Sequence, residues 1–173
     1  MPAFALGGMP LMDKMKIGYV CTNYNNSHYT EIAVASFVRS CPQGCRIVVV
    51  DNCSDAQTVA LLQGIKARFD CVDIILNGEN LGYFRGLNAG IHYLRMLDAS
   101  ISYIVVGNND LSFPENFGAV MAAKHGVWGG HAVVSPDVLT LDGVHQNPHV
   151  ITGISQLREL AYDIYHSSYC AAK

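Results

Sequence analysis

The 173-residue sequence predicts an α/β fold, a mostly parallel sheet with helices on both faces. Three observations carry that expectation. Short apolar runs, KIGYVC, RIVVV, VDIIL and SYIVVG, recur along the first two thirds of the chain, as strands buried on both faces require. Between them lie segments of about 10 to 15 residues with apolar positions at helical spacing, the crossover connections that parallel neighbours need. A polar stretch follows each run, and open sheets of this class bind ligands beyond the carboxyl ends of their strands.

The first strand is expected over Lys16 to Cys21, where the polar TNYNNSH breaks it. From Ser27 to Arg39 the positions Tyr29, Ala33, Phe37 and Val38 predict a helix, closed by Pro42 and Gly44. Arg46 to Val50 reads as the second strand. The turn DNCSD leads into a helix with Asp55 as N-cap and Val59, Leu62, Ile65 and Phe69 on one face. Val72 to Leu76 is the third strand and Asn77 to Tyr83 a glycine-containing loop. Leu87, Ile91, Leu94 and Leu97 then mark the core stripe of a third helix, and Ser102 to Gly107 forms the fourth strand.

Beyond Pro114 the spacing predicts a short helix over Glu115 to Lys124, a glycine-interrupted strand over Val127 to Val134 and a loop-rich stretch from Ser135 to Pro148. Leu157, Leu160, Ala161 and Ile164, with Glu159 and Asp163 opposite, predict an amphipathic helix from Ser155 to about Cys170. Residues 1–15 read as a poorly ordered leader: the apolar run Ala3 to Met9 is followed, not preceded, by Lys14 and Lys16, unlike a signal peptide.

A composition 50% hydrophobic and 14% charged excludes a disordered chain and allows one domain. Formal net charge -3 and pI near 6.1 supply no basic field for nucleic acid. Apolar runs such as Ile101 to Val106 are far shorter than the roughly 20 residues that span a bilayer. The six cysteines, Cys21, Cys41, Cys45, Cys53, Cys71 and Cys170, form no C-x-x-C pair and no disulfide framework, so reduced thiols and a cytoplasmic location are expected.

Four polar clusters match the parts of a nucleotide-diphosphate sugar. In Thr22-Asn23-Tyr24-Asn25 a Tyr can stack on a base while the Thr hydroxyl and backbone groups read its edge. Asp51, at the end of IVVV, is placed to accept from ribose hydroxyls or a base N–H, with Asn52 beside it. Asn80 to Gly90 carries glycines at 82, 86 and 90, baring one helix face for sheet or ligand. Arg85 stands at that helix start, where positive charge and backbone N–H groups can hold phosphate, with Asn88 in the next turn. Asn108-Asn109-Asp110 offers one carboxylate and amide oxygens to a hard divalent ion, Mg²⁺ or Mn²⁺. His145 and His149 are outlying metal-ligand candidates.

In order, TNYN, VVVDNCSD, NLGYFRGLNAGI and VVGNND resemble the amino-terminal half of family-2 inverting glycosyltransferases of the GT-A fold, across residues 16–113. VVSPDVLTLDG at 133–143 is similar to the segment after the metal motif in rhamnosyltransferase-like members. The resemblance implies a GT-A, Rossmann-like nucleotide-sugar-binding domain over 16–150, with 151–173 beginning an acceptor region that is otherwise missing. It implies that Thr22, Tyr24 and Asp51 hold the nucleotide, that Asn80, Gly82 and Arg85 border the donor pocket, and that the D-x-D position binds metal. Asn25, Asn52, Asn88, Asn108 and Asn109 join the donor-contacting set, with Asp110 as the metal carboxylate.

Two departures stand out. An amide, Asn108, replaces the first D-x-D carboxylate, and no E-D pair follows to supply a general base. The implied function is sugar transfer from a UDP-, GDP- or dTDP-linked donor to a glycan or lipid-linked acceptor in cell-surface polysaccharide synthesis. The alternative is a non-catalytic nucleotide-sugar-binding module. A dinucleotide oxidoreductase is disfavoured, because CTNYNNS and not G-x-G-x-x-G follows the first strand.

Overall fold

The computed structural model describes residues 15–42, 44–128 and 130–146. The leader (apart from Met15), the helix expected from Ser155, and His149 lie outside these residues. Four strands and four helices are described, in the order β1 (Lys16–Asn23), α1 (Ser27–Ser40), β2 (Cys45–Asp51), α2 (Ala56–Arg68), β3 (Val72–Leu76), α3 (Tyr83–Leu97), β4 (Ile101–Asn108) and α4 (Phe117–Trp128). The sheet order is β3-β2-β1-β4 and every pairing is parallel. The fold is the α/β class expected.

Side-chain alternation along the central strands makes two cores. Ile17, Tyr19 and Cys21 of β1 and Ile47 and Val49 of β2 face α1 and α2, meeting Ala33, Val34, Phe37, Leu62 and Ile65. Val20, Val48 and Val50 face the other way, onto Leu87 and Leu94 of α3. The first two crossovers thus cover one face and the third covers the opposite face. Chain direction across the sheet reverses at β1, so the switch point lies between the carboxyl ends of β1 and β4.

Gly90 seats α3 on the sheet. A Cβ there would stand 2.5 Å from Val20 Cγ1 and 2.8 Å from Val50 Cγ2, both in the packed core. Gly90→Val is therefore expected to destabilise the protein by about 1–3 kcal/mol, the usual cost of overpacking. The check is a lower urea midpoint at unchanged slope; an unchanged midpoint would mean that α3 does not rest on β1 and β2 as described.

Several elements differ from expectation for identifiable reasons. β1 continues through Thr22 and Asn23, because these residues pair on one side with Val50 and Asp51, and Thr22 also pairs with Asn108. In α1, Tyr29 is 49% exposed; Thr30 and Val34, both buried, take up the inner stripe. Leu97 ends α3 with 43% of its surface exposed. α4 begins at Phe117, after a turn in which the Phe117 N–H donates to the Pro114 carbonyl, and runs on to Trp128. The strand expected over Val127 to Val134 is therefore corrected: its first two residues are helical and none of the described remainder is a strand. Val133 is 85% exposed, and among the described residues no strand pairs with this run.

Among the described residues, those to Val127 belong to one compact unit and those from Trp128 to a second. In the second, Leu139 and His145 form an antiparallel bridge around a tight turn with Gly143 at φ +83°. His145 Nδ1 lies 2.8 Å from Asp137 Oδ2.

Candidate functional site

The carboxyl ends of the four strands bring the polar clusters to one edge. Asn23 and Asp51 are register partners, as are Thr22 and Asn108 and, on the far side, Asp51 and Leu76. At the centre is Asn23, 1% exposed, a residue the sequence reading did not single out. Its amide nitrogen donates to Asp51 Oδ1 at 2.8 Å and to Ser54 Oγ at 3.2 Å. Its amide oxygen accepts from Thr30 Oγ1 at 2.9 Å and from Asn109 Nδ2 at 3.2 Å. One side chain thus joins the ends of β2 and β4 through β1.

Asp51 is 1% exposed and accepts three hydrogen bonds from the chain itself, from Asn23, the Ser54 hydroxyl and the Ser54 N–H. A carboxylate has about four lone-pair positions, so one on Oδ2 is left. Ser54 Oγ also receives the Asn25 N–H at 2.8 Å, and Asn25 Oδ1 receives the Asp55 N–H at 2.9 Å. The β1–α1 and β2–α2 loops are thereby tied together. Each holds one non-glycine residue in the left-handed region, Asn25 at φ 50° and Cys53 at φ 64°, strain that a loop retains only where its neighbours enforce it. Asp55 caps α2 as expected, accepting from the Thr58 N–H at 2.7 Å.

Asn52, 4% exposed, donates to the Gly82 carbonyl at 3.2 Å and accepts from Asn77 at 3.0 Å, which fixes the start of α3 beside β2. Asn80 Oδ1 receives the Gly82 N–H at 2.9 Å. Gly82, at φ 77°, brings no side chain to cap α3, so the first N–H groups of the helix point outward with the positive end of its dipole. Arg85 and Asn88 are exposed on the first turns. The bare glycine face meets the sheet and not open space: a Cβ on Gly86 would stand 2.8 Å from Thr22 Cγ2 and 3.3 Å from the Asn52 amide. Tyr24, Tyr83 and Phe84 leave aromatic surface exposed nearby, at 55%, 40% and 78%.

At the end of β4 the three motif residues part company. Asn109 turns inward, its amide nitrogen donating to Thr30 Oγ1 at 2.8 Å and to the Asn26 carbonyl at 3.2 Å as well as to Asn23. Asn108 is exposed, and its carbonyl accepts from the buried Tyr19 hydroxyl at 2.5 Å. Asp110 is exposed. Burial, then the neighbouring Cys21 and the Asp110 carboxylate, pushes the Tyr83 phenol up. Beyond the motif, Phe113 packs on Tyr19 and Phe37 with ring centroids 5.1 and 4.9 Å apart, and its N–H donates to Ser36 Oγ at 3.1 Å. The Asp110 turn is therefore pinned on both sides.

Among the described residues no group of three or more His, Cys, Asp or Glu could hold a metal ion. The donor set suits instead a hard divalent ion that keeps waters and is completed by substrate phosphate, for which one carboxylate with neighbouring amide oxygens is enough. Asp110 and Asn108, both exposed at the end of β4, offer one carboxylate and one amide oxygen of that kind.

A four-stranded parallel sheet in the order 3-2-1-4, with its polar residues at the switch point, has a Rossmann-like α/β architecture. The sequence profile of Glycosyl transferase family 2 matches residues 20–163, and the chain belongs to that family. No curated protein sequence matches it. Among solved structures, S. aureus TarS 1-349 is similar at 17% identity and TM-score 0.55, covering 75% of this chain and 43% of that one. The same TarS fragment in complex with UDP matches with TM-score 0.54. The mannosyltransferase PcManGT from Pyrobaculum calidifontis, in complex with GDP-Man and Mn2+, matches at 15% identity and TM-score 0.53, covering 72% of this chain and 35% of that one. The chain thus spans less than half the length of these proteins, which share its GT-A fold.

Proposed function

We propose that the sheet edge formed by β1, β2, α3 and β4 binds a nucleotide-diphosphate sugar, and that the protein transfers a hexosyl or deoxyhexosyl group, with inversion, to a glycan or lipid-linked acceptor. The observation that carries this is the convergence of all four polar clusters on the switch point of a family 2 chain. The base lies between the β1–α1 and β2–α2 loops, stacked on Tyr24, with Thr22, Asn25 and Asn52 around it. Asp51 holds these loops in place and keeps one Oδ2 lone pair for a base N–H or ribose hydroxyl. Diphosphate meets the uncapped start of α3 and Arg85, with Asn80, Gly82 and Asn88 alongside. Asp110 and Asn108 hold Mg²⁺ or Mn²⁺, which neutralises diphosphate charge when bound; Asn109 acts by fixing the turn that carries them.

The complexes of the similar structures with UDP, and with GDP-Man and Mn2+, support this reading of the donor. The described residues assemble the donor side, and the base that takes the acceptor proton has no residue assigned. The proposed setting is cytoplasmic, in cell-surface polysaccharide synthesis. No described helix is long and apolar enough to cross a membrane, and a lipid-linked acceptor would be met peripherally. Calorimetry of the full chain with UDP-, GDP- and dTDP-sugars, with and without Mn²⁺, is expected to show one of them binding and to show Mn²⁺ tightening it. Silence with all of them would overturn the proposal.

A further inference from the structure

At the opposite end of the sheet, the thiol of Cys45 donates to that of Cys71 across 3.9 Å. Cys45 opens β2 and Cys71 immediately precedes β3, its hydrogen-bonded neighbour. The Ile47 N–H donates to the Cys71 carbonyl at 2.8 Å, so the backbone beside the pair is already laddered. The register sets Ile47 opposite Val72 and so Cys45 one residue off from Cys71; a rise of about 3.3 Å on a strand spacing of about 4.8 Å puts their Cα atoms roughly 6 Å apart, inside the about 4.4–6.8 Å that disulfides span. Rotation about the two side chains, closing roughly 2 Å between sulfurs, therefore makes the bond without moving the strands. Both residues are partly buried against the core but retain some surface for small oxidants, whereas Cys21 and Cys41 are buried and Cys53, exposed, lies at the other end of the sheet.

We propose that Cys45 and Cys71 are a modification site, a redox-sensitive dithiol that small disulfide oxidants of the glutathione class close to an intramolecular disulfide. The Cys45 hydrogen bond and the Arg46 guanidinium hold the Cys71 thiol below the usual cysteine range, while that same hydrogen bond and burial push Cys45 up. Cys71 is accordingly the attacking thiolate. It displaces one glutathione thiolate from oxidised glutathione to form a mixed disulfide. Cys45, losing its proton, then attacks the Cys71 sulfur and expels the second glutathione. Two protein thiols are oxidised and one glutathione disulfide is reduced to two thiols. The bond would clamp β2-α2-β3, a sequence separation of 26 residues, at the end remote from Asp51. The inference is independent of the glycosyl-transfer reading.

The test is to equilibrate the full reduced chain with oxidised and reduced glutathione, alkylate, and map peptides by mass. A Cys45–Cys71 linked peptide, two hydrogens lighter and restored by dithiothreitol, is expected. With it the melting midpoint should rise on the order of 10 °C, from loop closure in the unfolded chain. Cys45→Ser should instead accumulate glutathione on Cys71 without that rise. The proposal is overturned if, at an oxidising poise, both cysteines of the unmutated chain remain alkylatable, keep glutathione, or link to other cysteines.

Discussion

Asp51→Ala is expected to lower the unfolding free energy by about 2–5 kcal/mol and to abolish nucleotide-sugar binding with it. The carboxylate is buried at 1% exposure and answers the Asn23 amide, the Ser54 N–H and the Ser54 hydroxyl. Truncation takes the acceptor from one Asn23 amide hydrogen, the other keeping Ser54 Oγ, and from the part-buried Ser54 N–H, and each buried group so deprived costs about 1–3 kcal/mol. Ser54 loses its anchor, and through Asn25 the β1–α1 and β2–α2 loops lose theirs. Asp51→Asn keeps the volume and one oxygen acceptor, so it should lose about half as much stability while still weakening donor binding. Urea denaturation and calorimetry on the two variants separate the effects. Wild-type stability in both would show that the buried network does not hold the loops.

Asp110→Ala should act in the opposite manner. The side chain is exposed at the end of β4, outside the Asn23 network, so the unfolding midpoint should stay within about 0.5 kcal/mol of wild type. Metal-dependent donor affinity should fall on the order of 100-fold, as removal of the only motif carboxylate from a charge-stabilised diphosphate site implies. Asp110→Asn should behave similarly, because charge and not shape is lost. Asn108→Asp should tighten Mn²⁺ by restoring a second carboxylate. Titration of Mn²⁺ at fixed nucleotide sugar reads all three. If Asp110→Ala retains the full metal effect, the role given to Asp110 fails, whereas the nucleotide-facing roles around Asp51 stand on separate evidence.

The fold class was legible because its signals are local. Apolar runs and helical spacing are written within a few residues of one another, and Asp55 announced its cap through the turn DNCSD before an apolar helix face. Ends of elements were less so. Thr22 and Asn23 read as loop because they are polar, yet they are strand because β2 lies beside them. The glycines at 86 and 90 left sheet and ligand as equal readings until Thr22, Val20 and Val50 were seen against them.

In the candidate site, residue types and their strand-end positions could be read from the chain, but not their orientation. Asn109 was placed among the donor-contacting residues and is instead turned inward as the lock of the turn, while Asn23, named within the Thr22 to Asn25 cluster, was given no role of its own. By itself the sequence determined an α/β sheet with polar residues at its carboxyl edge, because side-chain periodicity is a property of neighbouring residues. Only the tertiary structure decided which of those residues turn inward and which face outward. Two of the partners that hold Asn23, Asp51 and Asn109, stand 28 and 86 residues away, and a buried amide is placed by its hydrogen-bond partners, wherever in the chain they lie.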